Sequence, residues 1–138
     1  MIGLDTNVLS RYHVAGSDAP SQQQSAAARK LLESAKQPFV NKSVVLELEW
    51  VRRGYYKSWP QDVLTVLKHL LAIPHLDIED RVEVELDTTA LADGFDFVDA
   101  LQHASARHCT NLATFDDKKF ARLAGLKGWN PAVKLLAA

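Results

Sequence analysis

The 138-residue chain has a single cysteine, Cys109, so no disulfide can close within it and no cysteine-rich zinc site can be built. One thiol is ordinary usage for a reducing cytosol, and Cys109 has no evident base partner. Neither sign of charge is in surplus: 16 basic residues stand against 17 acidic ones, for a formal net charge of −1. A nonspecific polyanion binder would carry a basic excess. Bound metal ions, however, can supply positive charge that side chains do not show. There is no long apolar run, and the opening Met-Ile-Gly-Leu-Asp-Thr-Asn has no basic leader segment. Neither a signal peptide nor a transmembrane helix is expected, which makes the cytoplasm the expected location. No repeat, low-complexity tract or linker interrupts the sequence. A hydrophobic fraction of 47% and a charged fraction of 24% are those of a globular protein, and one domain over residues 1–138 is expected.

What the chain does contain is an alternation of short apolar runs and helical patterns. Residues 1–5 read as a short buried strand, broken by the turn formers Asp5-Thr6-Asn7. Residues 16–21 are a loop by composition, and Ser21 or a neighbour caps a helix to about Ala35. Pro38-Phe39-Val40 is a strand candidate. Ser43 is an N-cap for a helix from Val44 to about Tyr56. Pro60 suits the first turn of a helix carrying Val63, Leu64, Leu67, Leu70 and Leu71. Residues 73–78 read as a strand that Pro74 confines to an edge. Helices are predicted over Asp80–Leu91 and Phe97–His108. Strands are predicted over Asn111–Phe115 and Ala132–Leu136, with a short helix opening at Asp116. Strands alternating with helices indicate an α/β domain whose sheet is mainly parallel. In such sheets ligands gather at the carboxyl ends of the strands, where Asp5 and Asp116 both fall.

Four acids sit inside or beside apolar patterns: Asp5 after Ile-Gly-Leu, Glu47 within Val-Val-Leu-Glu-Leu, Asp99 within Phe-Val-Asp-Ala-Leu, and Asp116 after Leu-Ala-Thr-Phe. A partly buried carboxylate is costly unless it is paired, hydrogen-bonded or bound to metal. Mg²⁺ and Mn²⁺ prefer hard oxygen ligands and keep several waters. A site holding them can activate water against a phosphodiester and neutralise the departing oxygen. A shared metal site for phosphodiester hydrolysis is therefore the reading of Asp5, Glu47, Asp99 and Asp116. Each acid also has a purely structural role open to it. Asp5 can cap a turn through Thr6 and Asn7, and Glu47 can belong to a solvated helix face. Asp99 can be held by a helix dipole, and Asp116 can cap the helix after it. Asp96 suits an N-cap better than a ligand position, and Glu49 and Asp117 read as solvated.

Other residues are secondary. His103 shares a helical face with Asp99 and reads as structural or exposed, since nothing completes a histidine-based site. Arg52-Arg53 and Lys118-Lys119 suit RNA phosphates or a solvated helix face equally. Trp50, Tyr55, Tyr56 and Trp59 can stack on bases, but packing in a core or subunit interface is the preferred reading.

In order and spacing the acidic segments resemble the motifs of PIN-domain ribonucleases. Leu4-Asp5-Thr6-Asn7-Val8-Leu9 is similar to the first motif, Leu46-Glu47-Leu48-Glu49-Trp50-Val51 to the glutamate-bearing helix, Asp96-Phe97-Val98-Asp99-Ala100-Leu101 to the third motif, and Ala113-Thr114-Phe115-Asp116 to the fourth. The likeness runs over almost the whole chain and is nearest to the VapC-like toxins of type II toxin–antitoxin pairs. It implies a three-layer α/β/α domain with a short, mainly parallel central sheet. It also implies Asp5, Glu47, Asp99 and Asp116 as acidic ligands of Mg²⁺ or Mn²⁺, with Thr6, Asn7, Asp96 and Thr114 close by. An RNA substrate, a homodimer and a cognate antitoxin protein come with the same resemblance. Two rivals stand beside this reading. One is a catalytically silent PIN-like module that binds RNA or protein. The other is a HAD-type phosphatase, which needs a second aspartate two residues after its nucleophile. Asn7 occupies that position here, so the phosphatase ranks last.

Overall fold

The computed structural model describes residues 1–13, 16–34, 36–54 and 57–137, which fall into two compact units, Met1–Arg81 and Val82–Ala138.

In the first unit three short strands pair in parallel: β1 (Ile2–Gly3), β2 (Pro38–Val40) and β3 (Asp77–Ile78), with β2 in the middle. Ile2 lies opposite Pro38, and Phe39 opposite Asp77. The first strand is an edge and is less buried than its sequence suggests: Ile2 is 46% exposed, and the first buried side chain is Leu4. The expected edge strand near Pro74 is β3, which starts only at Asp77.

Four helices accompany this sheet: α1 (Thr6–His13), α2 (Ala19–Ser34), α3 (Lys42–Gly54) and α4 (Pro60–Ala72). The first of them is a departure from the sequence reading. Asp5-Thr6-Asn7 does not interrupt the chain with a turn; it starts a helix. The Asp5 carboxylate accepts the Thr6 N–H at 2.8 Å, and the Asp5 carbonyl accepts from Val8 and Leu9 at 3.1 and 3.4 Å. Caps elsewhere also differ by a few residues. Asp18, rather than Ser21, precedes α2 and accepts the Ser21 N–H at 3.3 Å. Asn41, rather than Ser43, caps α3 by accepting the Val44 N–H at 3.0 Å, while the Ser43 hydroxyl donates to the Asn41 side chain. Pro60 does open α4, whose Val63, Val66, Leu67 and Leu70 form one buried stripe. The expected helix ends at Ala35 and Tyr56, and Tyr55 with them, lie outside the described residues.

The second unit contains α5 (Arg81–Ala92, whose first residue belongs to the first unit), α6 (Phe97–Ser105), β4 (Asn111–Thr114), a π-type turn (Asp117–Ala121), α7 (Arg122–Leu126) and β5 (Ala132–Leu135). Strands β4 and β5 are parallel, from Asn111 opposite Ala132 to Thr114 opposite Leu135. The predicted α/β class with parallel pairing is what forms, although the ladders fall into one sheet of three strands and one of two. Gly94 adopts φ +96° between α5 and α6, where the Phe95 N–H returns to the Ala90 carbonyl; only glycine enters that conformation cheaply. The α6 helix stops at Ser105 rather than His108, because Ala106 leaves the helical region.

The core of this unit is Ala90, Phe95, Ala100, Phe120 and Ala124, with Trp129 packed on it. Trp129 stacks on Phe95 with ring centroids 3.7 Å apart and lies 4.3 Å from the ring of His103. His103 is buried and donates from Nε2 to the Pro131 carbonyl at 2.8 Å. It is structural, as its sequence context suggests.

Candidate active site

The candidate acids fall in both units: Asp5 and Glu47 in the first, Asp96, Asp99 and Asp116 in the second. In the first unit, β1 delivers Leu4 into the core and leaves Asp5, which is exposed, at the strand's carboxyl end and the start of α1. Its bond to the Thr6 amide fixes one carboxylate oxygen. Helix α3 then supplies Glu47. Val44, Val45, Leu48, Glu49 and Arg52 make the buried face of α3, so Glu47 is turned outward. It lines a concavity of about 480 Å³ together with Thr6, Asn7, Ser10 and Arg11 of α1 and Trp50, Val51 and Gly54 of its own helix. Thr6, Asn7 and Glu47, expected to be neighbours, are therefore brought together.

Glu49 corrects the sequence reading. It is not solvated but 2% exposed, and it is held by Arg53, whose Nε lies 2.8 Å from a carboxylate oxygen. Of the Arg52-Arg53 pair, Arg52 is buried and so fits neither a phosphate contact nor a solvated face, whereas Arg53 pairs with Glu49 with 55% of its side chain exposed. Trp50 and Trp59 are exposed rather than packed in a core.

In the second unit, Asp96 is the N-cap of α6 and accepts the Asp99 N–H at 3.0 Å. Asp99 sits half-buried in the first turn. Asp116 follows β4 after one residue. The Thr114 hydroxyl accepts the Asp116 N–H at 3.0 Å, and the Asp116 carboxylate caps the π-type turn by accepting the Lys119 N–H at 3.1 Å. Burial, then the negative charges of Asp96 and Asp116, push the Asp99 carboxyl above the ordinary aspartate range; the Lys119 ammonium works the other way. Asp96, Asp99, Asp116 and Thr114 are thus a neighbourhood, with Lys119 its cation. The side chain of Asp117, expected to be solvated, lies outside the described residues. Asp96 takes the N-cap role that its sequence context favours over a ligand position, and Asp116 takes the capping role open to it.

A family model for the PIN domain matches residues 2–126. The chain belongs to the PIN domain family. The match covers the expected motifs from Asp5 to Asp116, and the PIN domain is generally a nuclease fold. No curated protein and no solved structure gives a significant match. Among the described residues no helix is long and apolar enough to cross a membrane.

PIN nucleases generally use divalent metal ions, and the residues of this PIN domain fit such ions in two respects. The donors are carboxylate and hydroxyl oxygens, the hard ligands that Mg²⁺ and Mn²⁺ select. The Asp99 carboxyl is pushed up by burial and by repulsion from Asp96 and Asp116 that Lys119 only partly offsets, and a bound cation would relieve it further. Among the described residues no three His, Cys, Asp or Glu side chains are already drawn into a closed ligand cage. Asp96 and Asp116 each spend an oxygen on a backbone amide.

Two features of the neighbourhood were missed in the sequence. The burial of Glu49 was legible: Val45, Leu48, Glu49 and Arg52 are spaced for a single helical face. The place of Arg11 beside Glu47 had no local signal, since it depends on a helix starting at Thr6.

Proposed function

We propose that this PIN domain is a Mg²⁺- or Mn²⁺-dependent endoribonuclease that hydrolyses RNA phosphodiester bonds. In this reading it works in the cytoplasm as a homodimer and is the toxin of a type II pair, restrained by a cognate antitoxin. Asp5, Glu47, Asp99 and Asp116 are its acidic ligands, with Asp5 and Asp99 holding the principal ion. A divalent ion held by them would supply an activated water and neutralise charge on the phosphate.

The chain's own residues contribute position. The Thr6 amide orients the Asp5 carboxylate and leaves its second oxygen open. The Thr114 hydroxyl fixes the turn from which Asp116 projects. Asp96 holds the first turn of α6 and so the backbone of Asp99, while its charge raises the affinity of Asp99 for a cation or a proton. Lys119, whose charge reaches Asp99, would attract an anionic substrate toward these acids.

The observation that carries the reading is the Asp99 carboxyl, half-buried among like charges in a chain of a nuclease family. The test joins two measurements on the full chain. Calorimetric titration with Mn²⁺ should show binding that Asp99→Asn removes. Incubation with a mixed pool of RNA should give cleavage that EDTA abolishes and Mn²⁺ restores. RNA binding with no turnover and no Mn²⁺ uptake would overturn the proposal in favour of a silent binding module.

A further inference from the structure

The concavity beside Glu47 has two walls of different chemistry. Thr6, Asn7, Ser10 and Arg11 of α1 make one, and Glu47, Trp50, Val51 and Gly54 of α3 make the other. The α3 residues are spaced at three, four and seven positions, which places them on one face, turned from the buried stripe of that helix. Trp50 stands in that face with 61% of its surface exposed. Arg11 is the cation on the opposite wall and donates from Nε to Gln24 at 2.9 Å, which steadies the guanidinium. A volume of about 480 Å³ is within the range of small-ligand clefts.

We infer that Trp50 and Arg11 form a subsite for an unpaired RNA nucleotide next to the bond cleaved, the base stacking on the indole and its phosphate meeting the guanidinium. The inference rests on the ribonuclease reading. An exposed indole and a cation lining one cleft are the groups by which proteins hold single strands: the ring serves any base, and the cation follows the backbone. A duplex buries its base faces, so this subsite selects loops, bulges and single strands over helices. Glu47 at the same cleft ties the seated nucleotide to the proposed chemistry. Asn7 and Ser10 supply polar groups for a ribose or a base edge.

The test uses the full chain, a labelled single-stranded RNA and the same strand annealed to its complement. Stacking on one side chain changes affinity by about tenfold. Trp50→Ala should therefore raise KM and Kd on the single strand by about that factor. It should leave kcat within about twofold, because uniform binding is lost rather than transition-state contact. Trp50→Phe should keep most of the affinity. Arg11→Gln should weaken binding and flatten its salt dependence by about 0.7 in the log–log slope, one phosphate contact on a single strand. The duplex should bind poorly and respond to neither change at Trp50. Unfolding midpoints confirm that the variants are folded. Unchanged KM and Kd in Trp50→Ala overturn the inference. So does a Trp50→Ala variant that turns a dimer into a monomer with KM unaltered, since the indole then belongs to a subunit interface. RNA cleavage by the wild type, with KM and Kd unchanged in Trp50→Ala, refutes the subsite alone and leaves the nuclease reading standing. Trp50-dependent binding without cleavage refutes the nuclease reading and leaves the subsite standing.

Discussion

Asp96 both builds and burdens Asp99: its carboxylate accepts the Asp99 N–H at 3.0 Å, and its charge helps hold the Asp99 carboxyl above the usual aspartate range. The cap stabilises the helix that carries Asp99, while the repulsion makes its ionised form costly. Lys119 offsets part of this unfavourable charge, and a bound cation or a proton relieves the rest.

That cost sets a pH dependence of stability. The folded-state pKa of Asp99 is raised, so the native state binds the proton more tightly than the unfolded chain does. Below the ordinary aspartate pKa both states are protonated and there is no penalty. The penalty grows as pH rises from that value through the raised folded pKa, and is complete above it. Asp99→Asn should therefore stabilise the metal-free protein at neutral pH. Solvent screening of a half-exposed group limits the gain to no more than about 1 kcal/mol. Thermal unfolding of both proteins between acid and neutral pH should show the gap closing in acid. Adding Mn²⁺ at neutral pH should raise the wild-type midpoint and leave the variant's unchanged.

The two functions of Asp96 can be separated by substitution. Asp96→Asn keeps a capping oxygen and removes the charge; Asp96→Ala removes both. Loss of the cap should cost about 1 kcal/mol in the alanine variant and only a few tenths in the asparagine variant. Both should lower the Asp99 pKa toward its ordinary value, read by NMR titration of the Asp99 carboxyl carbon. An Asp99 titration unmoved in Asp96→Asn would show that the neighbouring charge is screened.

Glu47 and Glu49, two residues apart on α3, should respond in opposite ways. Glu49 is buried against Arg53, whereas Glu47 faces the concavity. Arg53→Ala takes the charged hydrogen bonds from a buried carboxylate and should cost about 2 kcal/mol in urea unfolding. It should leave Mn²⁺ binding unchanged. Glu47→Gln should leave stability within about 0.5 kcal/mol, as for an ordinary surface change. Its Mn²⁺-dependent cleavage should fall steeply.

The contrast also shows what was legible in the sequence. The elements from Pro38 to Ala72 and from Phe97 to Leu135 follow from hydrophobic period, Pro60 and the acid-bearing strand ends, because their signals are local. Helix α1 was hidden because Asp5, Thr6 and Asn7 favour turns and N-caps alike, and nothing in an eight-residue helix separates the two uses. Glu49 was misplaced because its charge outweighed its position on the Val45, Leu48 and Arg52 face. Trp129, in a stretch rich in turn formers, finds Phe95 and His103 only through tertiary packing. The acids themselves were legible, and so were the amide-capping roles open to Asp5, Asp96 and Asp116, because each precedes a helical start among polar turn and cap formers.

Trp129 gives a prediction specific to the second unit. It covers Phe95, His103 and Phe120, with Phe120 met edge-on at 6.5 Å. Trp129→Ala should cost about 3 kcal/mol, the low end for an aromatic truncated to alanine, because the indole is only partly buried. Denaturant unfolding followed by circular dichroism reads the loss directly. A cost below about 1 kcal/mol would show that the Phe95–Trp129 stack contributes little to the fold.

Asp5 offers the sharpest separation of structure from chemistry. Its carboxylate accepts the Thr6 N–H at the start of α1, and an asparagine side-chain oxygen can accept the same bond. Asp5→Asn should therefore match the wild type in urea unfolding to within about 0.5 kcal/mol, because asparagine and aspartate cap about equally well. Asp5→Ala should lose about 1 kcal/mol as the amide loses its partner. If Asp5 is a metal ligand, both variants should lose Mn²⁺-dependent RNA cleavage to a similar degree, since a neutral amide is a poor substitute for a carboxylate on a hard dication. Cleavage that tracks stability, with Asp5→Asn active and Asp5→Ala impaired, would reduce Asp5 to a helix cap. Full loss in a stably folded Asp5→Asn would place it in the chemistry.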